Sequence, residues 1–296
     1  MGELIAASTA GDVVHVRVLL QAGIEPDAKD AYDALICAAK NGHEGVMQAL
    51  LEAGVAVDSK NNDGMTVLMF AAEYGQAGAV RVLLEAGAEV DLKDNEAMTA
   101  LMVAAEYGQV GAMRVLLEAG AAIGCKDDNG WAALMCAAKF GHEGVQALLE
   151  AGAEVDSKSN DGMTALLVAA NNRQVGAVRV LLEARAEIGC KEKNGWSALM
   201  CAAKNGHEGV MQALLEAGAE VDLKDAREGT ALVVAANFGQ AGAVRVLLEA
   251  GAEIGCKGKN GWAALIYAAK NNEGVLQALL EAGAEVDSKN DDGMRH

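Results

Sequence analysis

The segment NDGMTALLVAANNRQVGAVRVLLEA, residues 160–184, contains the features that decide the fold. The turn sequence NDG comes first, and the apolar run TALLVAA that follows is long enough for two helical turns. After a polar break, Val178, Leu181 and Leu182 have the i, i+3, i+4 spacing of one buried helix face. The segment therefore predicts a turn followed by two short helices.

The same pattern recurs along the chain of 296 residues. Its LLEAG ending, or a close variant, is found nine times at steps of 31 to 33 residues. Two helices of this length cannot bury their apolar faces alone, whereas stacked repeats share a continuous core. We therefore expect residues 1–296 to form a single continuous array with a terminal stub at 290–296. The nine repeats we assign are approximately 1–29, 30–60, 61–93, 94–126, 127–158, 159–191, 192–224, 225–257 and 258–289.

This pattern resembles the ankyrin repeat. The resemblance lies in the period of about 33 residues and in two blocks, of which DGMTALLVAA at 161–170 and VRVLL at 178–182 are examples. It implies an all-α fold, an ankyrin-repeat solenoid of helix-turn-helix units with short hairpin loops. The family's TPLH becomes TALM, as at 99–102, so the Pro that opens the first helix and the His that bonds between repeats are missing. We expect a weaker polar network between repeats.

Three repeats are shorter than the rest, and the ninth of the array lacks one residue between its helices, at 271–273. The second lacks two residues in its hairpin, around Tyr32. The fifth lacks one residue in its second helix, where GVQA at 144–147 replaces a pattern like GVMQA at 209–213. Because a helix turns once per 3.6 residues, such a deletion rotates the following residues by about 100°. We expect a local adjustment near Val145.

Composition excludes several classes of partner and location. Lys and Arg total 24 against 42 Asp and Glu, a formal net charge of −18, so nucleic acid is not expected as a partner. No long apolar run predicts a membrane span, and the first residues do not form a secretory signal. The six cysteines form no CxxC pair, which favours a reducing compartment. We therefore expect a cytoplasmic protein without a membrane partner.

The sequence contains no constellation typical of an enzyme. The GHEG motif at His43, His142 and His207 lacks the second His of a zinc-binding HExxH motif, so each His is expected at the start of a second helix. Equivalent cysteines two repeats apart should be roughly 20 Å from each other, too far for a disulfide or a shared metal. No phosphate-binding loop or nucleophile motif occurs. We expect no catalytic residue, no metal and no cofactor.

The aromatic residues give the candidate binding site. One group of residues, Trp or Met, directly follows the hairpin Gly, and a second group directly precedes the Gly that ends the first helix. The ankyrin resemblance implies that both positions face the concave groove used for binding, and protein interfaces favour aromatic residues and Met. Alternatively, Trp and Met simply pack onto the hairpin and first helix. Together with two neighbouring acids, the candidate partner-binding residues are Met65, Met98, Trp131, Met163, Trp196, Trp262, Glu73, Tyr74, Glu106, Tyr107, Phe140 and Phe238.

Three functions are consistent with this pattern. The first is a non-enzymatic scaffold that binds a protein partner of basic or polar character. The second is a structural or cytoskeleton-associated protein that self-assembles end to end or laterally, because the ninth repeat keeps the apolar pattern of an interior one. Homotypic assembly would then use the terminal repeats, although the net charge of −18 opposes it. The third is the regulatory array of a larger enzyme.

Overall fold

The helix pairs that the repeats predict are present in the structure. The computed structural model describes residues 2–22, 28–141, 143–259, 263–271 and 273–284. Their regular secondary structure is α-helical, apart from two isolated β-bridges. The predicted all-α class is therefore confirmed. The chain divides into two compact units, residues 1–154 and 155–296, which are described one at a time; the single continuous array stays a prediction.

The first unit contains ten helices among its described residues. First helices of successive repeats pack against each other, and so do second helices. The core between them is built from Ala, Leu, Val and Met side chains. The helices are α1 (Gly2–Ala10), α2 (Val13–Gln21), α3 (Ala28–Asn41), α4 (Glu44–Glu52), α5 (Val67–Glu73), α6 (Ala77–Glu85), α7 (Ala100–Glu106), α8 (Val110–Glu118), α9 (Ala133–Phe140) and α10 (Gly144–Glu150).

The second unit repeats this arrangement with eight helices in its described part. First helices again contact first helices, and second helices contact second helices. The helices are α11 (Ala165–Asn171), α12 (Val175–Glu183), α13 (Ala198–Asn205), α14 (Glu208–Glu216), α15 (Ala231–Asn237), α16 (Ala241–Glu249), α17 (Ala264–Asn271) and α18 (Glu273–Glu281).

A hydroxyl residue is the N-cap of five first helices, α5, α7, α11, α13 and α15, and the residue after it occupies the position of the missing Pro. The hydroxyls of Thr99 and Thr164 each accept the backbone N–H three residues later, at 3.4 Å. This bond satisfies one of the N–H groups left unpaired at a helix start. Ala at the next position then extends the helix, because it is the best helix former.

The second repeat replaces its hairpin with helix. The shortened segment around Tyr32 belongs to α3, a helix of 14 residues. The Tyr32 side chain is buried, and its hydroxyl donates to the Met65 carbonyl of the next repeat at 2.7 Å. Burial raises the pKa of Tyr32 to about 12, so the hydroxyl stays protonated and available as a donor.

The deletion in the fifth repeat is absorbed at the start of its second helix. α10 has 7 residues and α14 has 9, yet both end at the Glu of the LLEAG motif. Val145 and Leu148 in α10 remain buried. The adjustment expected near Val145 is therefore a later start of the helix, which keeps its buried face directed at the core.

Side chains other than the missing His connect neighbouring repeats. At the start of second helices, Gln76, Gln109 and Gln240 donate to carbonyls 36 residues earlier, at 3.0 to 3.1 Å. Asp58 and Asp222 accept backbone N–H groups 31 residues later. A polar network thus exists between repeats, and its weakness relative to the usual motif stays a prediction.

Candidate functional site

The hairpin position holds half-buried side chains in five repeats. The backbone at this position is held in the same way in each of these repeats. The N–H group of the residue donates to a side chain four residues earlier, as the Trp131 N–H does to Asp127 Oδ1 at 2.6 Å. Trp262 lies outside the described residues. The side chains therefore both pack inward, as the alternative interpretation predicted, and keep part of their surface accessible. The five residues are Met65, Met98, Trp131, Met163 and Trp196.

The position at the end of the first helix is far more exposed. Tyr74, Tyr107, Phe140 and Phe238 are 48%, 53%, 41% and 45% exposed. Seven large hydrophobic residues are exposed among the described ones, and these four are the majority. Exposed apolar surface is thus concentrated at one position of the repeat rather than scattered, which is typical of a binding surface.

Lysines at the ends of first helices lie over aromatic rings. The Lys40 ammonium is 4.5 Å from the centre of the Phe70 ring and 5.0 Å from that of Tyr74. A cation at this distance is attracted by the negative face of the ring. The contact connects the second repeat to the third. Phe70 was not among the predicted site residues, because it lies inside an apolar run.

Two further lysines repeat this contact with different partners. Lys139 Nζ is 5.8 Å from the Trp131 ring centre and 4.8 Å from that of Phe140. In the second unit, Lys204 Nζ is 5.5 Å from the ring centres of both Trp196 and Phe238. The predicted Trp and Phe residues are therefore brought together in pairs, with a lysine over each pair.

The two candidate acids lie between these lysines in the first unit. Burial raises the pKa of Glu73, and the charge of Lys40 partly opposes that effect. The negative charge of Glu73 is the largest cause of a raised pKa at Tyr107. Glu106 lies 3.9 Å from Lys139 Nζ. The ends of the first helices α3, α5, α7 and α9 thus carry positive, negative, negative and positive charge in that order.

A cavity of about 550 Å³ lies in the second unit between hairpins and first helices. Trp196, Phe238 and Tyr267 supply aromatic walls, and Arg227 and Lys259 are charged residues at its edge. Trp196 and Phe238 were predicted as site residues, whereas the others were not. Their signal in the sequence was weak, because hairpin residues differ from repeat to repeat and one charged side chain in a loop predicts little.

Two histidines of the GHEG motif connect neighbouring repeats, and Cys201 lies in the core. His43 and His207 are the N-caps of α4 and α14, as predicted, and their rings bond to the carbonyls of Thr9 and Ala170 at 3.0 Å. His142 lies outside the described residues. Burial raises the pKa of Cys201 to about 12, so this thiol stays protonated.

The described part of the chain contains no cluster of three or more His, Cys, Asp or Glu side chains that could hold a metal ion. Among the same residues, no helix has the length and apolar character needed to cross a bilayer.

Comparisons with known proteins agree with the repeat architecture. A family model described as "Ankyrin repeats (3 copies)" matches residues 4–94, 86–159, 145–225 and 220–290. The crystal structure of the ankyrin repeat domain of Bcl-3, described as a unique member of the IkappaB protein family, is similar at 28% sequence identity and a TM-score of 0.62. The similarity covers 72% of this chain and 97% of that domain. A search of curated proteins found no match.

Proposed function

This chain belongs to the ankyrin-repeat family, and from that premise we propose that it is a non-enzymatic scaffold that binds a protein partner. Ankyrin repeats generally mediate protein–protein interaction. The binding surface would consist of the hairpin position and the exposed ends of the first helices. The remaining candidate residues, including Trp262, belong to this proposal.

The observation that carries the proposal is the concentration of exposed aromatic rings at one position of the repeat. Tyr74, Tyr107, Phe140 and Phe238 occupy the same place in four repeats, and each is at least 41% exposed. Burying rings of this size against water is favourable, so leaving four exposed is a loss that a partner would recover. Aromatic anchors are enriched among the residues that dominate binding energy.

Charge gives the proposed partner its character. Glu73 and Glu106 end the first helices of neighbouring repeats, and the whole chain has a net charge of −18. A field of this sign accelerates encounter with a positively charged molecule and slows encounter with an acidic one. The first unit would therefore favour a basic or polar partner.

The test removes the exposed rings of the first unit. Tyr74→Ala, Tyr107→Ala and Phe140→Ala combined should weaken binding of the partner by roughly a hundredfold or more, the loss expected from a few buried anchors. Affinity capture from a cell lysate with mass spectrometry would identify the partner, and calorimetry with the purified partner would give the loss.

The matched control changes three exposed, uncharged residues of second helices, Gln48→Ala, Gln146→Ala and Gln212→Ala. It should bind as the wild type does. Circular dichroism should show the same helix content in both variants. Equal capture by the aromatic variant and the wild type, with both folded, would contradict the proposal.

Self-assembly is the second candidate function, and one observation favours it. Val14 and Val18 in α2 are 74% and 55% exposed, although they are one helical turn apart on the same face. Light scattering over a concentration series separates the two functions. A constant mass near 30.4 kDa would count against assembly, and a mass that rises with concentration and salt would favour it. The regulatory array of a larger enzyme stays a prediction.

A further inference from the structure

The eighth repeat has an unusual hairpin. Where the seventh has Asn194-Gly195-Trp196, the eighth has Arg227-Glu228-Gly229. The glycine therefore stands at the position that other repeats give to Trp or Met. Glu228 stands at the position of the hairpin Gly and adopts its left-handed conformation, with φ of 62°.

This exchange is unfavourable for the fold of the hairpin. A residue with a side chain is strained in the left-handed region, where Gly is not. Thr230, which follows Gly229, is buried, and its hydroxyl has no hydrogen-bond partner among the described residues. Strained backbone and unsatisfied polar groups that occur together are a reason to look for a function.

The consequence of the exchange is open space. Gly229 lines the cavity of about 550 Å³, and Trp196 of the preceding repeat lines it too. The three heavy atoms nearest to a Cβ added at Gly229 all belong to Asp225, at ordinary contact distances of 3.4 to 3.6 Å. The missing side chain at this position therefore leaves room beside Trp196.

The edge of the cavity is held in place before any ligand arrives. Asp225 Oδ1 accepts the backbone N–H groups of Arg227 at 2.7 Å and of Gly229 at 2.8 Å. Backbone bonds join this hairpin to both neighbours, from Ala226 N to Asn194 O and from Lys259 N to the Arg227 carbonyl. A preformed edge lowers the entropy lost on binding.

The lining combines aromatic walls with positive charge. Arg227 and Lys259 are exposed at the edge, and the Lys204 ammonium lies over two rings of the wall. The acid among the lining residues is Asp225, and its carboxylate already accepts two N–H groups. The cavity is therefore locally cationic in a chain of net charge −18.

We propose that this cavity binds a peptide segment in which carboxylates flank an aromatic or large aliphatic side chain. The apolar side chain would fill the space beside Trp196 that Gly229 leaves open. The carboxylates would pair with Arg227 and Lys259, since the planar guanidinium matches a carboxylate with two parallel bonds. The proposal rests on the proposed function, because the segment belongs to a protein partner.

A peptide fits this cavity better than a nucleotide does. Phosphate sites commonly use a glycine-rich loop or helix start that directs several N–H groups at the ligand. Here the N–H groups of Arg227 and Gly229 are already taken by Asp225. An extended peptide can instead contact the wall and the two charged residues at once.

The test uses a phage-displayed library of random peptides, selected on the full chain. Enriched peptides should combine acidic residues with an aromatic or large aliphatic one. Gly229→Trp fills the cavity with the residue that the seventh repeat carries, and it should weaken a synthetic copy of the enriched peptide by at least about tenfold. Arg227→Glu should weaken it comparably, and fluorescence polarisation gives both values.

Gly124→Trp is the matched control, because it introduces the same side chain at an exposed glycine of the first unit, where an added Cβ would have nothing within 4 Å. It should leave peptide affinity unchanged. Enrichment of basic peptides, no enrichment, or equal binding to Gly229→Trp overturns the proposal. Loss of binding in the Tyr74→Ala and Tyr107→Ala variant, but not in Gly229→Trp, overturns the cavity proposal and leaves the scaffold function standing.

A nucleotide is tested in parallel with ATP as the probe. Binding of ATP to the wild type that Gly229→Trp abolishes, without enriched acidic peptides, would overturn the peptide proposal in favour of a nucleotide site.

Discussion

The segment ALMCAAK occurs at residues 133–139 in the first unit and at 198–204 in the second, and its two copies have different surroundings. Both form the start of a first helix, and the last lysine of each lies over aromatic rings. Lys139 uses Phe140, the next residue in the chain, and also has an acid 3.9 Å away. The same seven residues thus acquire their environment from what lies beside them.

The second copy takes one of its two ring partners from another repeat. Lys204 is followed by Asn205, and its second ring is Phe238, which belongs to the next repeat. The repeat before the second copy has Asn171 at the end of its first helix. The repeat before the first copy has the acid Glu106 at the equivalent place. One repeat therefore does not define its own recognition surface, because adjoining repeats supply part of it.

The fifth repeat, which contains the first copy, and the seventh repeat, which contains the second, also differ at buried positions and at a helix cap. Gly144 in α10 is buried at the place that Val210 has in α14, and a Cβ there would lie 2.9 Å from Met113 Sδ. The first helices differ at their N-caps, since Ser197 accepts the Met200 N–H and Ala132 forms no such bond. The fifth repeat therefore lacks both a cap and part of a helical turn.

The substitutions with the largest expected effect test whether the one-residue deletion in the fifth repeat leaves its core intact. Leu148 and Leu214 are fully buried at equivalent places. Leu148→Ala and Leu214→Ala should each lower the free energy of unfolding by about 2–5 kcal/mol through lost burial and a cavity. Urea denaturation followed by circular dichroism measures both. A much smaller effect for Leu148→Ala would show that the fifth repeat is loosened beyond its first turn.

Substitutions at the two N-caps should change the free energy of unfolding by less, and in opposite directions. Ser197→Ala should lower the free energy of unfolding by about 1 kcal/mol, since it leaves the Met200 N–H without its side-chain partner. Ala132→Ser should raise it by about 0.5–1 kcal/mol if the hydroxyl finds the equivalent N–H. The same denaturation experiment checks both. Ala132→Gly is a control, because it changes the residue without adding a hydroxyl.

The smallest expected effect concerns the lysines. Lys139→Met and Lys204→Met should each lower the free energy of unfolding by about 0.5–1 kcal/mol, as the cation over the rings is lost while the aliphatic stem is kept. Lys139→Met should cost up to about 1 kcal/mol more at low salt, because its ion pair with Glu106 is also lost. High salt should remove the difference by screening.

Glu106→Gln supplies the control for this last comparison. In that background the ion pair is already absent, so Lys139→Met and Lys204→Met should have the same effect. A difference that persists in the Glu106→Gln background, or that does not respond to salt, would mean that the ion pair does not distinguish the two sites.

Local regularities in the sequence allowed much of the fold to be predicted. The apolar spacing at Val178, Leu181 and Leu182 indicated a helix with one buried face. The helix is α12 (Val175–Glu183), in which Val178 and Leu181 are buried and Leu182 is half-buried. The length differences were visible, but their outcome was not. The segment around Tyr32 became helix, since a shortened hairpin and an extended helix compete through contacts with the next repeat.

The candidate site was accessible to sequence analysis only where a position recurs. Recurrence identified Phe140 and Phe238, which are exposed as a binding residue should be. The recurrence of positions did not identify Phe70, because its contact with Lys40 is made between two repeats. It also passed over Gly229, because an absent side chain produces a cavity only in three dimensions.

By itself the sequence determined the helical class, the repeat spacing and the acidic character of this protein. These follow from the period of apolar residues and from counting charges, and both are properties of the chain before it folds. Tertiary structure alone decided which rings share a lysine and where the open space beside Trp196 lies. Those features depend on residues about one repeat apart in sequence, and only stacking brings such residues into contact.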